Sequence, residues 1–380
     1  MSLFVSCGPG IETLLSDELA EIGFHETSIG FCGVHVRITP AEVTMDAVYA
    51  INYRSRLASR VLLPLHQFRC YDEKALYRSA DKVDWTRFFR KGQTLAIDAN
   101  VSHPRLRNSL FCAQVVKDAI CDQLRNTMGS RPSVDLKSPD VQLNLFIHDD
   151  EAVISFDTSG DALHKRGYRQ DAGEAPLQES MAAVLLKLAK YKGDEILIDP
   201  CCGSGTILIE AALIASNTAP GYLRKRWGFF NHPDFVNEQW LIVKNEIDSL
   251  RKDLLPKHFY GSEIDSEVAR LCRANLRAAG FLDSVEVVRL DFADYTPSVQ
   301  PHVLVTNPPH GRRLKDDLSA LCALYRRLGD FMKQKLAKPG RGYVFVANPD
   351  LAKEVGLAPK RRHVLSNGGV ESRLLEFDLY

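Results

Sequence analysis

Short apolar runs separated by polar turns fill the first third of the chain. Leu3-Phe4-Val5 and Val34-His35-Val36-Arg37-Ile38 have the length of strands, and Ile11, Leu14, Leu15, Glu18, Leu19 and Ile22 recur at helical spacing. Residues from Leu3 to about Ile51 therefore read as a small α+β unit. A second α+β region extends to about Asp157. Within it Leu95-Ala96-Ile97-Asp98-Ala99 and Val141-Gln142-Leu143-Asn144-Leu145-Phe146-Ile147 are strand-like, and Gln114 to Arg125 has the periodicity of a helix.

The pattern changes after the basic, glycine-punctuated run His164-Lys165-Arg166-Gly167-Tyr168-Arg169. Strand and helix signals then alternate. Strands are predicted at Glu195 to Asp199, His258 to Gly261, Val285 to Val288, Val303 to Thr306 and Tyr343 to Ala347. Helices are predicted at Thr206 to Ser216, Ser266 to Ala279 and about Asp317 to Lys335. Such alternation predicts an α/β fold with a doubly wound, mainly parallel sheet. The closing run Arg373 to Leu379 suits an added antiparallel strand. No sequence repeat or low-complexity tract interrupts the chain.

Composition narrows the setting more than the function. Lys plus Arg equals Asp plus Glu at 48 each, so a nucleic-acid surface has to come from local clustering. The nine cysteines lack paired C-x-x-C spacing, and Cys201-Cys202 are adjacent, which fits neither a zinc site nor a disulfide framework. No metal is expected, and the cytoplasm is the expected compartment. No window approaches the roughly 20 apolar residues of a membrane span, so no membrane association is expected either.

The candidate chemistry lies at successive strand ends. The first strand of the alternating region runs into Asp199-Pro200-Cys201-Cys202-Gly203-Ser204-Gly205-Thr206. Glycines at a strand-to-helix turn let a ligand approach the backbone, and open α/β sheets bind ligands at the carboxyl ends of their strands. The next strand ends at Glu263, placed to accept bonds from both hydroxyls of a ribose. Asp291 follows the third strand and suits an adenine amino group. A dinucleotide-binding turn would need G-x-G-x-x-G and an acidic residue about 20 positions on. Here the third glycine is missing, and Glu263 lies 58 positions beyond Gly205 because the stretch from about Asn217 to Pro256 is inserted. The pattern points to S-adenosyl-L-methionine rather than NAD. A fourth strand runs into Asn307-Pro308-Pro309-His310-Gly311, where an amide, two prolines and an aromatic ring suit gripping an exocyclic amine on a flat base. Alone, that run reads equally well as a Pro-Pro turn. Its upstream partners favour the functional reading.

At these residues the chain resembles class I amino-methyltransferases. Ser2 with Cys7-Gly8-Pro9-Gly10-Ile11-Glu12, then Ser55-Arg56-Leu57-Ala58-Ser59-Arg60-Val61, Val116-Lys117-Asp118-Ala119-Ile120, Arg131-Pro132-Ser133-Val134-Asp135 and His164 to Arg169 are similar to the THUMP-containing large-subunit rRNA methyltransferases. Ala219-Pro220-Gly221 with Arg226-Trp227-Gly228-Phe229 resembles the RlmL branch, whose N-terminal enzyme methylates guanine N2 in 23S rRNA. The resemblance covers essentially the whole chain. It implies a ferredoxin-like unit over 1–50, a THUMP RNA-binding domain over 51–157, and a class I, Rossmann-like methyltransferase domain over 158–380. It also implies that Ala175-Pro176-Leu177 lies over the cofactor, although a helix start accounts for that proline as well.

Two departures from the family stand out. Many members carry a second, C-terminal methyltransferase, for which a chain ending at Tyr380 has no room, and His310 stands where Tyr or Phe is usual.

The cofactor set expected on this reading is Asp199, Cys201, Gly203, Gly205, Thr206, Glu263, Asp291 and Asn307. The catalytic set is Asn307, Pro308, Pro309 and His310. Asn307 and the Pro308 carbonyl would accept the two amine hydrogens, localising a lone pair that is otherwise delocalised into the ring, while His310 stacks on a flipped-out base. RNA contacts are expected from Lys165, Arg166 and Arg169 around Tyr168, from Arg224, Lys225 and Arg226 beside Trp227, and from Arg312-Arg313. The partner so implied is 23S rRNA or a large-subunit assembly intermediate, with no oligomeric state implied. Methylation of a tRNA guanine or of an adenine N6 is the nearer alternative. A non-catalytic RNA-binding assembly factor is the more distant one.

Overall fold

The computed structural model describes residues 2–39, 44–170, 177–310 and 318–380. Two compact units emerge. The first gathers Met1–Cys7, Leu15–Leu163 and Arg224–Glu246, and the second Gly8–Leu14, His164–Leu223 and Ile247–Tyr380.

The first unit is built on one eight-stranded sheet. Its elements in order are β1 (Ser2–Ser6), α1 (Glu12–Ile22), β2 (Thr27–Gly30), β3 (Gly33–Arg37), α2 (Thr44–Arg54), β4 (Arg60–Arg69), α3 (Glu73–Asp81), β5 (Thr94–Ser102), α4 (Ser109–Met128), β6 (Ser133–Val134), β7 (Val141–His148) and β8 (Glu151–Asp157). The strand order is β2-β3-β1-β4-β8-β7-β5-β6, antiparallel except where β5 pairs with β7 and β6. In α1, Leu15 and Leu19 are buried. Glu18 is buried beside them because its carboxylate accepts bonds from the Ser55 hydroxyl at 2.6 Å and the Arg56 amide at 2.9 Å just past α2. A buried carboxylate needs such donors.

The insert contributes to this unit rather than forming a loop. Tyr49 and Phe229 have ring centroids 4.9 Å apart, Tyr53 meets Trp240 edge-on at 5.4 Å, and Trp227 stacks on Phe229 at 5.5 Å. Gly228 is required there, since a Cβ would lie 2.3 Å from the Asp157 carbonyl oxygen.

The second unit has the expected doubly wound sheet. Its elements are α5 (Glu179–Leu188), β9 (Leu197–Asp199), α6 (Thr206–Ala215), then, beyond α7 (Asn237–Asp248) of the insert, β10 (Phe259–Glu263), α8 (Ser266–Ala278), β11 (Val285–Arg289), β12 (Val303–Thr306), α9 (Leu318–Lys335), β13 (Gly340–Val346), α10 (Pro349–Glu354), β14 (Arg361–Asn367) and β15 (Val370–Leu379). The order is β11-β10-β9-β12-β13-β15-β14. The first five strands in that order run parallel, and β15 and β14 close the sheet antiparallel. The strand order reverses between β9 and β12, which is where such sheets bind ligands. Against the sheet, α9 buries Tyr325, Leu328, Phe331 and Met332, at the three- and four-residue spacing of an amphipathic helix.

Candidate functional site

Backbone geometry sets the glycine turn after β9. Gly205 caps α6 in a left-handed conformation (φ 85°), and a Cβ on it would lie 2.7 Å from Cys272 Sγ of α8, so a side chain is excluded twice over. Gly203 also has positive φ (52°), but a Cβ there would meet open space. The turn thus packs on α8 through Gly205 and leaves its backbone open at Gly203, the condition for close approach by a ligand.

Two carboxylates brace the turn. Glu263, half-buried at the end of β10, accepts from the Gly203 amide at 3.1 Å and the Asp265 amide at 2.9 Å. Each oxygen keeps acceptor capacity beyond these bonds. Asp199, buried at the end of β9, accepts from the Cys201 amide at 3.1 Å and the Thr306 hydroxyl at 2.6 Å. Burial pushes its carboxyl up to about 7 against the pull of both bonds. The Cys202 thiol, beside Cys272 and buried, is held well above its usual range and stays protonated. Asp291 caps the short turn after β11 through the Ala293 amide at 3.0 Å and pairs with Arg327 at 2.6 Å. Burial raises its carboxyl, but the amide and the guanidinium outweigh that and hold it below the ordinary carboxylate range.

Asn307, Pro308, Pro309 and His310 follow β12 directly. Because β12 pairs with β9 in register Val303↔Leu197, this segment and the glycine turn leave the sheet side by side. Asn307 and His310 are partly exposed, Pro308 is buried and Pro309 exposed. The His310 ring is turned toward the protein: Nε2 lies 2.7 Å from Asn307 Oδ1 and Nδ1 3.2 Å from the Tyr325 hydroxyl. Gly311, Arg312, Arg313, Ala175 and Pro176 lie outside the described residues.

The basic residues divide. Lys165, Lys225 and Arg226 are exposed, and Arg226 donates to the Ser138 hydroxyl at 2.6 Å. Arg166 corrects the RNA-contact expectation, since it is 1% exposed and paired at 3.4 Å with Glu210 of α6, which also accepts from the buried Tyr168 hydroxyl at 3.2 Å. Arg169 likewise turns inward, reaching Glu179 at 2.9 Å, the Leu177 carbonyl at 3.0 Å and the Thr206 hydroxyl at 3.2 Å. Thr206 therefore accepts from Arg169 and keeps its own hydroxyl proton to donate. Arg224 donates to the carbonyls of Ser159, Asp161 and Ala162 and lies 4.5 Å over the Trp227 ring. A guanidinium held by three carbonyls or sealed against a carboxylate is unavailable to a phosphate.

Sequence reasoning missed Thr306, Asn275 and Tyr325. Asn275 is buried on α8, donating to the Ser204 carbonyl at 3.0 Å and accepting from the Gln170 amide at 3.0 Å. A polar residue on the buried face of an otherwise amphipathic helix was the available signal.

A doubly wound parallel sheet closed by an antiparallel pair, with a glycine turn and a carboxylate at successive strand ends, defines a class I, Rossmann-like methyltransferase. The RMKL-like methyltransferase domain matches residues 166–375, the THUMP domain residues 70–157 and the RlmL ferredoxin-like domain residues 2–62. The chain belongs to the RMKL-like methyltransferase family. It is 36% identical to slr0064 of Synechocystis sp., assigned as an RNA methyltransferase, over 99% of this chain and 96% of that one. It is 37% identical to the ribosomal RNA large subunit methyltransferase K/L of Syntrophotalea carbinolica, covering all of this chain but 54% of that protein, about half its length. In structure it is similar to the methyltransferase SMU.472 solved with S-adenosylhomocysteine, with a TM-score of 0.85, 25% identity and coverage of 100% and 98%. Among the described residues, no helix is long and apolar enough to cross a membrane, and no three or more His, Cys, Asp or Glu side chains gather as a metal site.

Proposed function

We propose that this chain transfers a methyl group from S-adenosylmethionine to the exocyclic N2 of a guanine in 23S rRNA, in the cytoplasm. The observation that carries the reading is the placement of Asn307, a fixed amide, at the end of the strand adjoining the glycine turn. The large-subunit rRNA is supported by the name of the K/L relative, and the guanine N2 is the finer part of the proposal, supported by the resemblance to the RlmL branch.

The site suits the cofactor. Gly203 leaves room at the backbone, Glu263 presents a braced carboxylate for ribose hydroxyls, and Asp291, held as a carboxylate, suits the adenine amino group. Bound there, S-adenosylmethionine supplies an electrophilic methyl. Asn307 Oδ1 and the Pro308 carbonyl accept the two hydrogens of the base's amine, which draws the nitrogen toward tetrahedral geometry. Glu263 and the backbone at Gly203 would hold S-adenosylmethionine, which would give its methyl group to the amine lone pair as the S–C bond breaks and depart as S-adenosylhomocysteine, the extra proton on nitrogen passing to solvent. Positioning and fixed dipoles supply the acceleration without a strong base.

Mass spectrometry of nucleosides from cells lacking the gene tests the substrate. Loss of N2-methylguanosine from 23S rRNA is expected; loss from tRNA alone, or loss of N6-methyladenosine instead, would overturn it. Asn307→Ala should abolish transfer while weakening calorimetric affinity for the cofactor far less, because its main contact is with the base and the transition state.

A further inference from the structure

The ring of His310 is committed through both of its nitrogens. Asn307 Oδ1 lies 2.7 Å from Nε2, and a carboxamide oxygen only accepts, so Nε2 carries the proton. In the neutral ring Nδ1 is then an acceptor, and the Tyr325 hydroxyl at 3.2 Å is the donor it needs. Tyr325 is fully buried on α9 among Ile198, Leu304 and Val344, so its phenol is held by the core of the second unit. Phe345 of β13 meets the His310 ring edge-on with centroids 6.0 Å apart.

An asparagine amide has a broad, nearly two-fold torsion, and its two ends differ only in whether they donate or accept. Turned over, Asn307 would aim an NH2 group at the amine it has to hold, and would place that donor against the Nε2 proton. The oxygen-inward orientation keeps the bond to His310 and leaves the second lone pair of Oδ1 for an amine hydrogen. We infer that His310 and Tyr325 are positioning residues for Asn307: the imidazole donates Nε2–H to the amide oxygen and so fixes the face of the amide, and by accepting from the phenol at Nδ1 it is held at the angle that bond needs. A Phe at position 310 can stack but can do neither. This inference rests on Asn307 being the amine clamp.

Two measurements on the full chain test it. In protein labelled with 15N-histidine, with His310→Gln for assignment, two-bond 1H–15N spectra should show His310 as the Nε2–H tautomer, and Tyr325→Phe should move the Nδ1 resonance downfield as that acceptor loses its donor. An Nδ1–H tautomer in the native protein would overturn the inference without reference to activity. In methyl-transfer assays on rRNA from cells lacking the gene, Tyr325→Phe should lower kcat about tenfold and His310→Phe about a hundredfold, with KM for RNA and cofactor affinity nearly unchanged. The double variant should be no slower than His310→Phe, since the phenol acts through the ring. Full kcat in both single variants would show that the ring only stacks. An inactive native chain would instead count against the methylation reading, and the tautomer would still decide this one.

Discussion

Asp199 is an acid whose chemistry departs from its type. Its folded-state pKa is raised from 3.8 to about 7 by burial, so the folded protein holds the proton more tightly than the unfolded chain. The stability this contributes is complete below about pH 4 and is lost as the pH rises toward 7. Asparagine at 199 has no proton to lose. The thermal midpoint of the native protein relative to Asp199→Asn should therefore fall between about pH 4 and pH 7, and a constant difference across that window would refute the assignment. The strand-end acids and the amide were legible in the sequence because each sits within a few residues of the turn that displays it. Thr306 and Tyr325 were not, because their partners lie 107 and 15 positions away along the chain and only the sheet register or helix packing joins them.

Among the elements, α6 shows what a basic run can conceal. His164 to Arg169 reads as a phosphate-binding patch, and exposed Lys165 keeps that reading. Arg166 and Tyr168, however, converge on Glu210 within α6, while Arg169 ties the start of the same helix to Glu179 of α5. Charge alone does not distinguish a guanidinium facing solvent from one facing a buried carboxylate. Breaking a buried pair leaves an uncompensated charge and costs about 3–5 kcal/mol, whereas replacing both partners by apolar groups is often neutral. Arg166→Met should lower urea-unfolding stability by about 3 kcal/mol, and Arg166→Met with Glu210→Leu and Tyr168→Phe, which removes the buried hydroxyl that Glu210 accepts from, should recover much of that loss. A single variant as stable as the native protein would show that the pair contributes nothing. The alternating strands and helices of the second unit, by contrast, were readable from periodicity. Even the antiparallel closing strand was expected, while its partner β14, with polar residues at most positions, gave no apolar run to find.

For the molecule as a whole, a net charge of zero means that any RNA surface is local. Of the six described basic residues expected to contact RNA, Arg312 and Arg313 lying outside the described residues, Lys165, Lys225 and Arg226 are exposed, and they narrow the proposed footprint. Lys165→Glu and Lys225→Glu should each weaken RNA binding and reduce the slope of log affinity against log salt by about one. An unchanged slope would remove that residue from the footprint. The insert was legible as an interruption of the methyltransferase pattern but not by its destination, since an aromatic-rich stretch does not announce which core it completes. Its destination governs how the chain can be divided. Residues Arg224–Glu246 return to the first unit after the second has begun, so a cut after β8 separates Tyr49 and Tyr53 from Trp227, Phe229 and Trp240. Each fragment would keep half of one aromatic core, and the two units, distinct as folded bodies, are not separable as genes.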